Sequence, residues 1–260
     1  PELPGVVRCA KDLGFQSITI DTNGFLFHDA IDKLSPTDVD AISLSLDGAD
    51  AETNDRIRGR GSYDACLRGI RAAADRGFGI SLIFTVSQMN IHQLPDMIPL
   101  LLDLRVDRFF IQVIGIRGKS TDPVLGKLQI SRENWEKTIP PVAEAAARSG
   151  IPVTYPKVFL NPGEPFACAG CVADNYFIFP NGRVYRCPLC EDYPIHSLAF
   201  VEDRLVEMPK INESDLFRLD VPEGCVMNRI IQPDNISYDR TGAPEHRIAC
   251  CLLMEEVLPG

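Results

Sequence analysis

Two Cys-x-x-Cys pairs are the residues of this sequence best suited to bind a metal. Cys168 and Cys171 form the first pair, and Cys187 and Cys190 form the second after fifteen intervening residues. An Asn-Gly dipeptide at 181–182, between apolar stretches at 176–179 and 184–186, predicts a two-stranded hairpin. Because a hairpin returns the chain on itself, the four thiolates can converge on one zinc ion or one iron–sulfur cluster. Zinc ribbons have the same spacing, so the metal stays open at this point.

The overall composition narrows the class of protein. The 260 residues are 45% hydrophobic and 24% charged, which is typical of a globular chain with one large domain and room for a small second one. The net charge of −10 argues against a nucleic-acid partner, because phosphate binding requires a basic surface. No apolar run predicts a membrane span. Nine cysteines in a chain that does not need disulfides favour the reducing cytoplasm.

Alternating strands and helices are predicted for the first 160 residues. Apolar, β-branched stretches predict strands at 17–20, 41–46, 80–86 and 109–114, with a transitional fifth at 151–159. Helical spacing predicts helices at 3–13, 62–77, 91–104 and 131–150, the last kinked or split by Pro140 and Pro141. This alternation predicts an α/β domain with a parallel sheet covered by helices. Prolines, cysteines and turn residues then predict a boundary between a domain at 1–160 and a second one at 161–260.

Small polar residues follow the predicted strands at the point where each strand ends. Thr22 and Asn23 close the first strand, Ser45 and Asp47 close the second, and Gln112 lies near the end of the fourth. In parallel βα architectures, ligands bind beyond the carboxyl ends of the strands. The set therefore predicts a ligand site at this edge of the sheet, although turn formation alone also explains individual members.

The order of these motifs resembles the core of radical S-adenosylmethionine (radical SAM) enzymes. The resemblance rests on Thr-Asn-Gly at 22–24, Ser-Leu-Asp-Gly at 45–48, Asp-Arg-Ile-Arg-Gly at 55–59 and Ser-Tyr at 62–63. In the cysteine-rich part, Cys171, Gly182 and Cys187 resemble the spacing of SPASM or Twitch domains, which carry auxiliary iron–sulfur clusters. The resemblance extends over about residues 1–190.

The resemblance implies a partial (β/α)6 barrel that holds S-adenosylmethionine across the tips of its strands. It implies that Ser45, with Ser43 as the second choice, faces the ribose or amino-acid portion of this cofactor. Arg58 becomes a candidate for its carboxylate, since a guanidinium can bind two oxygens at once, although a surface ion pair is an equal alternative. The further residues of the cofactor site would be Thr22, Asn23, Asp47 and Gln112.

The cysteines imply one auxiliary [4Fe-4S] cluster, held by the four residues of the two pairs. Cys225 is a possible replacement ligand, and the adjacent Cys250 and Cys251 supply at most one ligand. Helical positions predict that Cys9 and Cys66 belong to the core. The family's Cys-x3-Cys-x2-Cys motif, which holds the radical-generating cluster, does not occur in this chain. We expect that motif, with the first two βα units, on a segment preceding Pro1.

The activity implied by the resemblance is radical chemistry on a peptide or a small precursor. Members of the family cleave S-adenosylmethionine to a 5′-deoxyadenosyl radical, which abstracts a hydrogen atom from the substrate. An auxiliary cluster ligated by four cysteines would transfer electrons, and an electron donor such as flavodoxin or ferredoxin would be a partner. Two alternatives stay open: a zinc-ribbon protein on an α/β barrel, and a non-catalytic scaffold that has lost the radical cluster.

Overall fold

The strands of the chain are short, and half of them lie in one sheet. The computed structural model describes residues 2–25, 31–161, 163–208 and 211–260. Within these ranges the strands are β1 (Thr19–Thr22), β2 (Ala41–Ser45), β3 (Gly79–Val86), β4 (Arg108–Val113), β5 (Val153–Pro156), β6 (Phe159–Leu160), β7 (Phe177–Ile178), β8 (Arg183–Tyr185), β9 (Leu198–Val201), β10 (Arg204–Glu207), β11 (Arg247–Ile248) and β12 (Met254–Val257). The helices are α1 (Leu3–Asp12), α2 (Ala51–Arg58), α3 (Ser62–Asp75), α4 (Met97–Asp103), α5 (Arg132–Arg148), α6 (Ala169–Val172), α7 (Glu213–Phe217) and α8 (Asn228–Ile231). None of these helices is long and apolar enough to cross a bilayer.

Internal contacts separate the chain into two units. The first unit comprises Pro1–Ile114, Glu133–Tyr155 and Glu255–Gly260, and the second comprises Gly115–Arg132 and Pro156–Met254. The boundary predicted after residue 160 stays a prediction. Residues 115–132, which lie inside the predicted first domain, are grouped by their contacts with the second unit.

A six-stranded sheet forms the centre of the first unit, in the order β1-β2-β3-β4-β5-β12. Strands β1 to β5 pair in parallel with their sequence neighbours, which confirms the predicted α/β class and its mainly parallel sheet. The side chains of a strand alternate between the two faces of a sheet. One set, which includes Leu44, Leu82 and Phe109, is completely buried and forms the apolar core. The opposite set is mostly polar, and it carries the candidate site.

The helices follow the sequence pattern in part. The helix predicted over 91–104 is α-helical only in α4 (Met97–Asp103), and α2 was not predicted. Helix α5 runs unbroken from Arg132 to Arg148 through Pro140 and Pro141, so the predicted split does not occur. Buried Ile139 and Ala143 on the same helix show that its packing outweighs the hydrogen bonds that proline cannot make. The assignment of Cys9 to the core is wrong, because α1 leaves that residue exposed. Cys66, in contrast, is buried as predicted.

The second unit contains two small antiparallel sheets, β10-β9-β8-β7 and β11-β6. The predicted hairpin is present: Phe177 pairs with Tyr185 and Ile178 with Val184. Gly182 closes the turn with a φ of +79°, a left-handed conformation that glycine adopts without a Cβ clash. Its N–H donates to the carbonyl oxygen of Phe179 at 2.9 Å. The hairpin therefore separates the two Cys-x-x-Cys pairs, as the spacing predicted.

Candidate functional site

A row of polar side chains crosses the first unit on the face of the sheet opposite its apolar core. Asp21 on β1 is in register with Ser43 on β2, Ser43 with Ser81 on β3, and Ser81 with Arg108 on β4. Neighbouring strands lie about 4.8 Å apart, so the four side chains form a continuous line across the sheet. Residues two positions further along each strand share this face, and they include Ser45.

This face forms the floor of a cleft of about 680 Å³. The cleft is lined by Ser17, Thr19, Asp21, Asp40, Ala41, Ser43, Gly79, Ile80, Ser81, Ile83, Asp107, Arg108, Phe110, Gln112 and Pro152. Of the predicted cofactor-binding residues, Ser43 and Gln112 belong to this lining. Ser45 is half-buried on the same face, and its carbonyl oxygen lies 3.5 Å from the thiol sulfur of Cys66.

Hydroxyl groups on this face retain unused hydrogen-bonding capacity. Ser81 is 5% exposed, and its Oγ has no hydrogen-bond partner among the described residues. Thr154, in register with Phe110 of the lining, is 7% exposed, and its Oγ1 is likewise without a partner in the described part of the chain. An unpaired buried hydroxyl costs free energy, and a bound ligand that pairs with it removes this cost. Both groups therefore suit a site that is completed by a ligand.

Thr22 and Asn23 form a local turn after β1. The Thr22 Oγ1 accepts a hydrogen bond from the Gly24 N–H at 3.1 Å, and the Asn23 Oδ1 accepts one from the Phe25 N–H at 3.1 Å. A side chain at Gly24 would meet the Cα of Cys66 at 3.0 Å, so the turn lies close against α3. The turn-forming role proposed as the alternative is therefore present, and contact with a cofactor stays a prediction.

Asp47 and Arg58 form an ion pair with each other. The Arg58 Nε lies 2.7 Å from the Asp47 Oδ2, while the Asp47 Oδ1 accepts a hydrogen bond from the Thr85 N–H at 2.7 Å. Burial raises the pKa of Asp47, and the charge of Arg58 acts in the opposite direction. The ion pair considered as an alternative for Arg58 is thus present, although its partner is buried rather than on the surface.

Two buried asparagines fix the loops that follow β2 and β3. The Asn90 Nδ2 donates to the carbonyl oxygens of Asp47 at 3.0 Å and Thr85 at 2.9 Å. Its Oδ1 accepts from the Ser87 N–H at 2.7 Å. The Asn54 Oδ1 accepts from the Asp47 N–H at 2.9 Å. Both asparagines are 0% exposed, so they hold the strand ends in place rather than reaching toward a ligand.

Cysteine sulfurs pair with one another in the second unit. Cys168 precedes α6, and the Cys250 sulfur accepts a hydrogen bond from the Ala169 N–H at 3.4 Å. A hydrogen bond from Cys168 lowers the pKa of Cys250 to about 6 and raises that of Cys168. A hydrogen bond from Cys190 likewise lowers the pKa of Cys187 and raises the pKa of Cys190. Each pair thus contains one readily ionised sulfur, and the thiolate is the form that binds metals.

The remaining cysteines differ in their surroundings. Burial raises the pKa of Cys225 to about 12, with further contributions from the charges of Cys250 and Cys187. Cys171 is exposed, and its sulfur lies 3.6 Å from the carbonyl oxygen of Phe217. Across the parts of the chain that the structure describes, no three His, Cys, Asp or Glu residues are arranged to hold a single metal ion. The structure pairs Cys187 with Cys190 as expected, whereas the hydrogen-bonded partner of Cys168 is Cys250.

Glu213 is a buried carboxyl group beside the second cysteine pair. It is 0% exposed, and its Oε1 accepts hydrogen bonds from the Arg186 N–H at 2.6 Å and the Ser197 hydroxyl at 2.9 Å. Its other oxygen has no partner apart from the neighbouring Cys190 thiol. Burial raises the pKa of Glu213. The carboxyl group can therefore exchange a proton with the thiol beside it.

The model of the radical SAM superfamily matches residues 4–101, which include β1 to β3 and the polar residues at their ends. Over these residues the chain is similar to the radical SAM superfamily. The predicted resemblance to radical SAM enzymes is confirmed at this level.

Proteins similar to this chain are named for different reactions. A probable GTP 3′,8-cyclase of Saccharolobus islandicus (strain M.14.25 / Kamchatka #1) is 26% identical over 219 residues, which are 79% of this chain and 69% of that protein. An Fe-coproporphyrin III synthase of Methanosarcina barkeri (strain Fusaro / DSM 804) is 33% identical over 121 residues, or 45% of this chain and 30% of that protein.

Solved structures support the fold. Streptococcus suis SuiB bound to S-adenosylmethionine gives a TM-score of 0.58 at 14% identity, covering 74% of this chain and 47% of that one. The complex of SuiB with its precursor peptide SuiA gives a TM-score of 0.51 at 13% identity, covering 72% and 52%. The chain therefore spans about half the length of these structures.

The sequence patterns did not single out Ser81 or Glu213, and they identified Cys250 only as one of two adjacent cysteines that supply at most one ligand. Ser81 lies inside a strand that was interpreted as continuously buried, although its alternation with Ile80 and Leu82 places it on the polar face. Cys250 lies 60 residues after Cys190, too far for any spacing rule to link them. Glu213 has no pattern in the sequence that could have identified it.

Proposed function

We propose that the complete enzyme binds S-adenosylmethionine at the carboxyl ends of β1 to β4 and modifies a peptide or a small precursor. When bound to a reduced [4Fe-4S] cluster, this cofactor supplies a radical that abstracts a hydrogen atom from the substrate. The single observation that supports the proposal best is the polar face of the sheet. Within residues 4–101, which match the superfamily, one face of the parallel sheet presents hydroxyl groups instead of apolar side chains. The cleft over this face extends from the amino ends of the strands to Gln112, near the carboxyl end of β4.

The residues of the chain would bind and orient the cofactor rather than react themselves. Ser45 and Ser43 are hydroxyl donors on the same strand and face, two positions apart. Gln112 can donate and accept two strands away, on β4. Arg58 would bind the cofactor carboxylate only if it could do so while remaining paired with Asp47, which makes it the weakest member of the set. The apolar core below the sheet keeps the backbone of these strands rigid.

We further propose that the thiols of the second unit hold an auxiliary [4Fe-4S] cluster. The donor set consists of thiols, as such a cluster requires. Cys187 and Cys250 are the sulfurs whose pKa is lowered, and Cys168 and Cys190 are their hydrogen-bonded partners. A four-iron cluster is larger than one ion, so it accepts sulfurs that lie farther apart than the ligands of a single ion. Cys171, which the sequence predicts as one of the four ligands, stays a prediction, and Cys225 stays a possible ligand.

The substrate and the electron donor belong to the proposal as well. A peptide substrate is favoured by the complex of SuiB with a precursor peptide, and a small precursor by the names of the cyclase and synthase relatives. Flavodoxin or ferredoxin would supply electrons. All nine cysteines are free, which suits a reducing cytoplasm.

The proposal is tested on the full-length protein purified without oxygen. We expect bound iron and sulfide, and formation of 5′-deoxyadenosine from S-adenosylmethionine under reduction. Ser45→Leu should weaken cofactor binding in a titration without lowering the melting temperature by more than a few degrees. Ser149→Leu, at an exposed position after α5, is the matched control.

Two results would contradict the proposal. A colourless protein with stoichiometric zinc would exclude the auxiliary cluster and support the zinc-ribbon alternative. A protein that carries iron but forms no 5′-deoxyadenosine under any reductant, and binds no S-adenosylmethionine, would support the non-catalytic scaffold.

A further inference from the structure

The charge of the cleft in the first unit is unusual for a protein related to enzymes that act on nucleotides. Among the described cleft residues, the ion pairs are Lys11 with Asp40 and Arg108 with Glu256, at 2.8 and 2.6 Å. Asp21 is in neither pair and has no hydrogen-bond partner among the described residues. It stands at one end of the polar row, and its carboxylate is exposed to the cleft.

Arg108 offers little positive charge to a ligand. Its guanidinium is paired with Glu256 and lies 6.0 Å from the centre of the Phe110 ring. Asp107, which also lines the cleft, accepts a hydrogen bond from the Ile80 N–H at 2.7 Å but has no cationic partner among the described residues. The carboxylates of the cleft therefore exceed its cations, and a polyanion would be repelled.

Ser81 provides the observation that points to a ligand independently of charge. Its hydroxyl lines the cleft, is more than nine-tenths buried, and has no partner. A buried hydroxyl without a partner is rare in folded proteins and is explained by a group that binds there. Ser43 lies between Ser81 and Asp21 in the same row, so Ser81 and Asp21 stand two strand spacings apart, about 9.6 Å, and a ligand that pairs with both carries donors at two separate positions.

We infer that this cleft accepts a cationic group that donates hydrogen bonds, such as the alkylammonium or guanidinium end of a side chain, and excludes nucleoside triphosphates. The inference rests on the proposed function in taking the ligand as part of the substrate. An ammonium carries three donors and no acceptor, which matches the Asp21 carboxylate with the Ser43 hydroxyl on the neighbouring strand, while a second donor of the same ligand, such as an amide N–H, pairs with Ser81. The chain would thus differ in substrate class from the GTP 3′,8-cyclases to which it is similar.

The test uses the full-length protein and Nα-acetyl-lysine methylamide as the probe. The same compound acetylated on Nε is the neutral control, and GTP is the anionic one. Binding is followed by saturation-transfer NMR, because a probe of this size reaches a Kd of about 1 mM at ordinary ligand efficiency. We expect the lysine probe to bind at least about fivefold more tightly than its neutral control, and GTP not to bind in the cleft.

Variants locate the binding. Asp21→Asn should weaken the lysine probe by about fivefold, whereas Asp96→Asn, an equal loss of charge at an exposed position before α4, should leave it unchanged. Ser81→Ala should weaken the probe by about threefold and also raise the melting temperature, because it removes a buried hydroxyl that has no partner. If the Ser81 hydroxyl served only to stabilise the fold, its removal would lower the melting temperature instead.

Distinct outcomes separate this inference from the proposed function. Equal binding of both lysine compounds, an Asp21→Asn variant that binds the probe like the wild type, or GTP bound in the cleft would each overturn the inference, even if S-adenosylmethionine is cleaved. Failure to cleave S-adenosylmethionine, with the lysine probe still bound through Asp21 and Ser81, would remove the proposed function and support the assignment of the cleft.

Discussion

Replacement of Asn90 by aspartate should destabilise the first unit far more than the small chemical change suggests. The Asn90 amide donates to the carbonyl oxygens of Asp47 and Thr85 at 3.0 and 2.9 Å, and the residue is 0% exposed. Asn90→Asp preserves the oxygen that accepts from Ser87 but loses both donated hydrogen bonds. Two buried carbonyls without donors cost about 1–3 kcal/mol each. Since a carboxylate oxygen then also faces them, we expect a loss of about 4 kcal/mol.

The loss is measured as the free energy of unfolding in urea, followed by circular dichroism at neutral pH. Asn23→Asp is the matched control, because Asn23 is exposed and its Oδ1 only accepts a hydrogen bond from the Phe25 N–H. Aspartate preserves that acceptor, so the control should stay within about 0.5 kcal/mol of the wild type.

The pH dependence provides a second arm of the same experiment. Burial and two carbonyl oxygens should raise the pKa of the carboxyl introduced at position 90 above its unfolded value of about 3.9. A raised folded pKa means that the folded state binds the proton more tightly, so the deficit of the variant shrinks as the pH falls toward the unfolded pKa. The gap from the wild type should be smaller at about pH 5 than at about pH 7. A gap below about 1 kcal/mol at neutral pH, or one that does not change with pH, would refute this reasoning.

Three further predictions concern the second unit, the thiols and acid stability. Gly170→Ala places a Cβ 2.5 Å from the Phe217 ring and should cost about 1–3 kcal/mol in urea denaturation; an unchanged midpoint would show that α7 can shift. Cys187→Ala should remove the iron of one cluster, whereas Cys9→Ala, at an exposed position, should not; equal iron content in both would contradict the assignment. Hydrogen bonds from the Tyr63 and Gly61 N–H groups lower the pKa of Asp55 below its ordinary value of 3.8. The stability that this group contributes is present above its ordinary pKa and is lost as the pH falls through the folded pKa. The free energy of unfolding of Asp55→Asn should therefore fall less steeply at acidic pH than that of the wild type. An unchanged pH dependence would contradict this assignment.

The sheet was predictable because its two faces follow simple rules. Ile42, Leu44 and Leu46 recur at every second position along and just after β2, and Ile80, Leu82 and Phe84 do so along β3, which determines which face is buried. The Asn-Gly dipeptide specifies its hairpin through local backbone conformation alone, so no distant residue is needed. Features of this kind depend on residues close together in the chain.

The parts that could not be predicted depend on contacts between distant residues. The hydrogen bond between Cys168 and Cys250 joins positions 82 residues apart, and neither residue carries a local sign of the other. Asp47 was expected to face the cofactor because it ends a strand. In the structure its carboxylate turns to the Thr85 N–H of the neighbouring strand and to Arg58, since a buried carboxylate needs such partners.

The buried polar residues of the first unit fall into two groups: those whose side chains are hydrogen-bonded within the protein and those whose hydroxyls are not. Substitutions in the two groups should have different effects on stability and on ligand binding. Asn90 and Asn54 use their side chains fully within the protein, so substitutions there should change the stability of the strand ends and affect a ligand only indirectly. Ser81 and Thr154 have hydroxyls to spare, so their removal should change ligand affinity while the fold gains or loses little. The division predicts that the melting temperature and the probe affinity respond to different substitutions in the same sheet. If Ser81→Ala and Asn90→Asp lowered both quantities together, the polar face would be part of the core and not a binding surface.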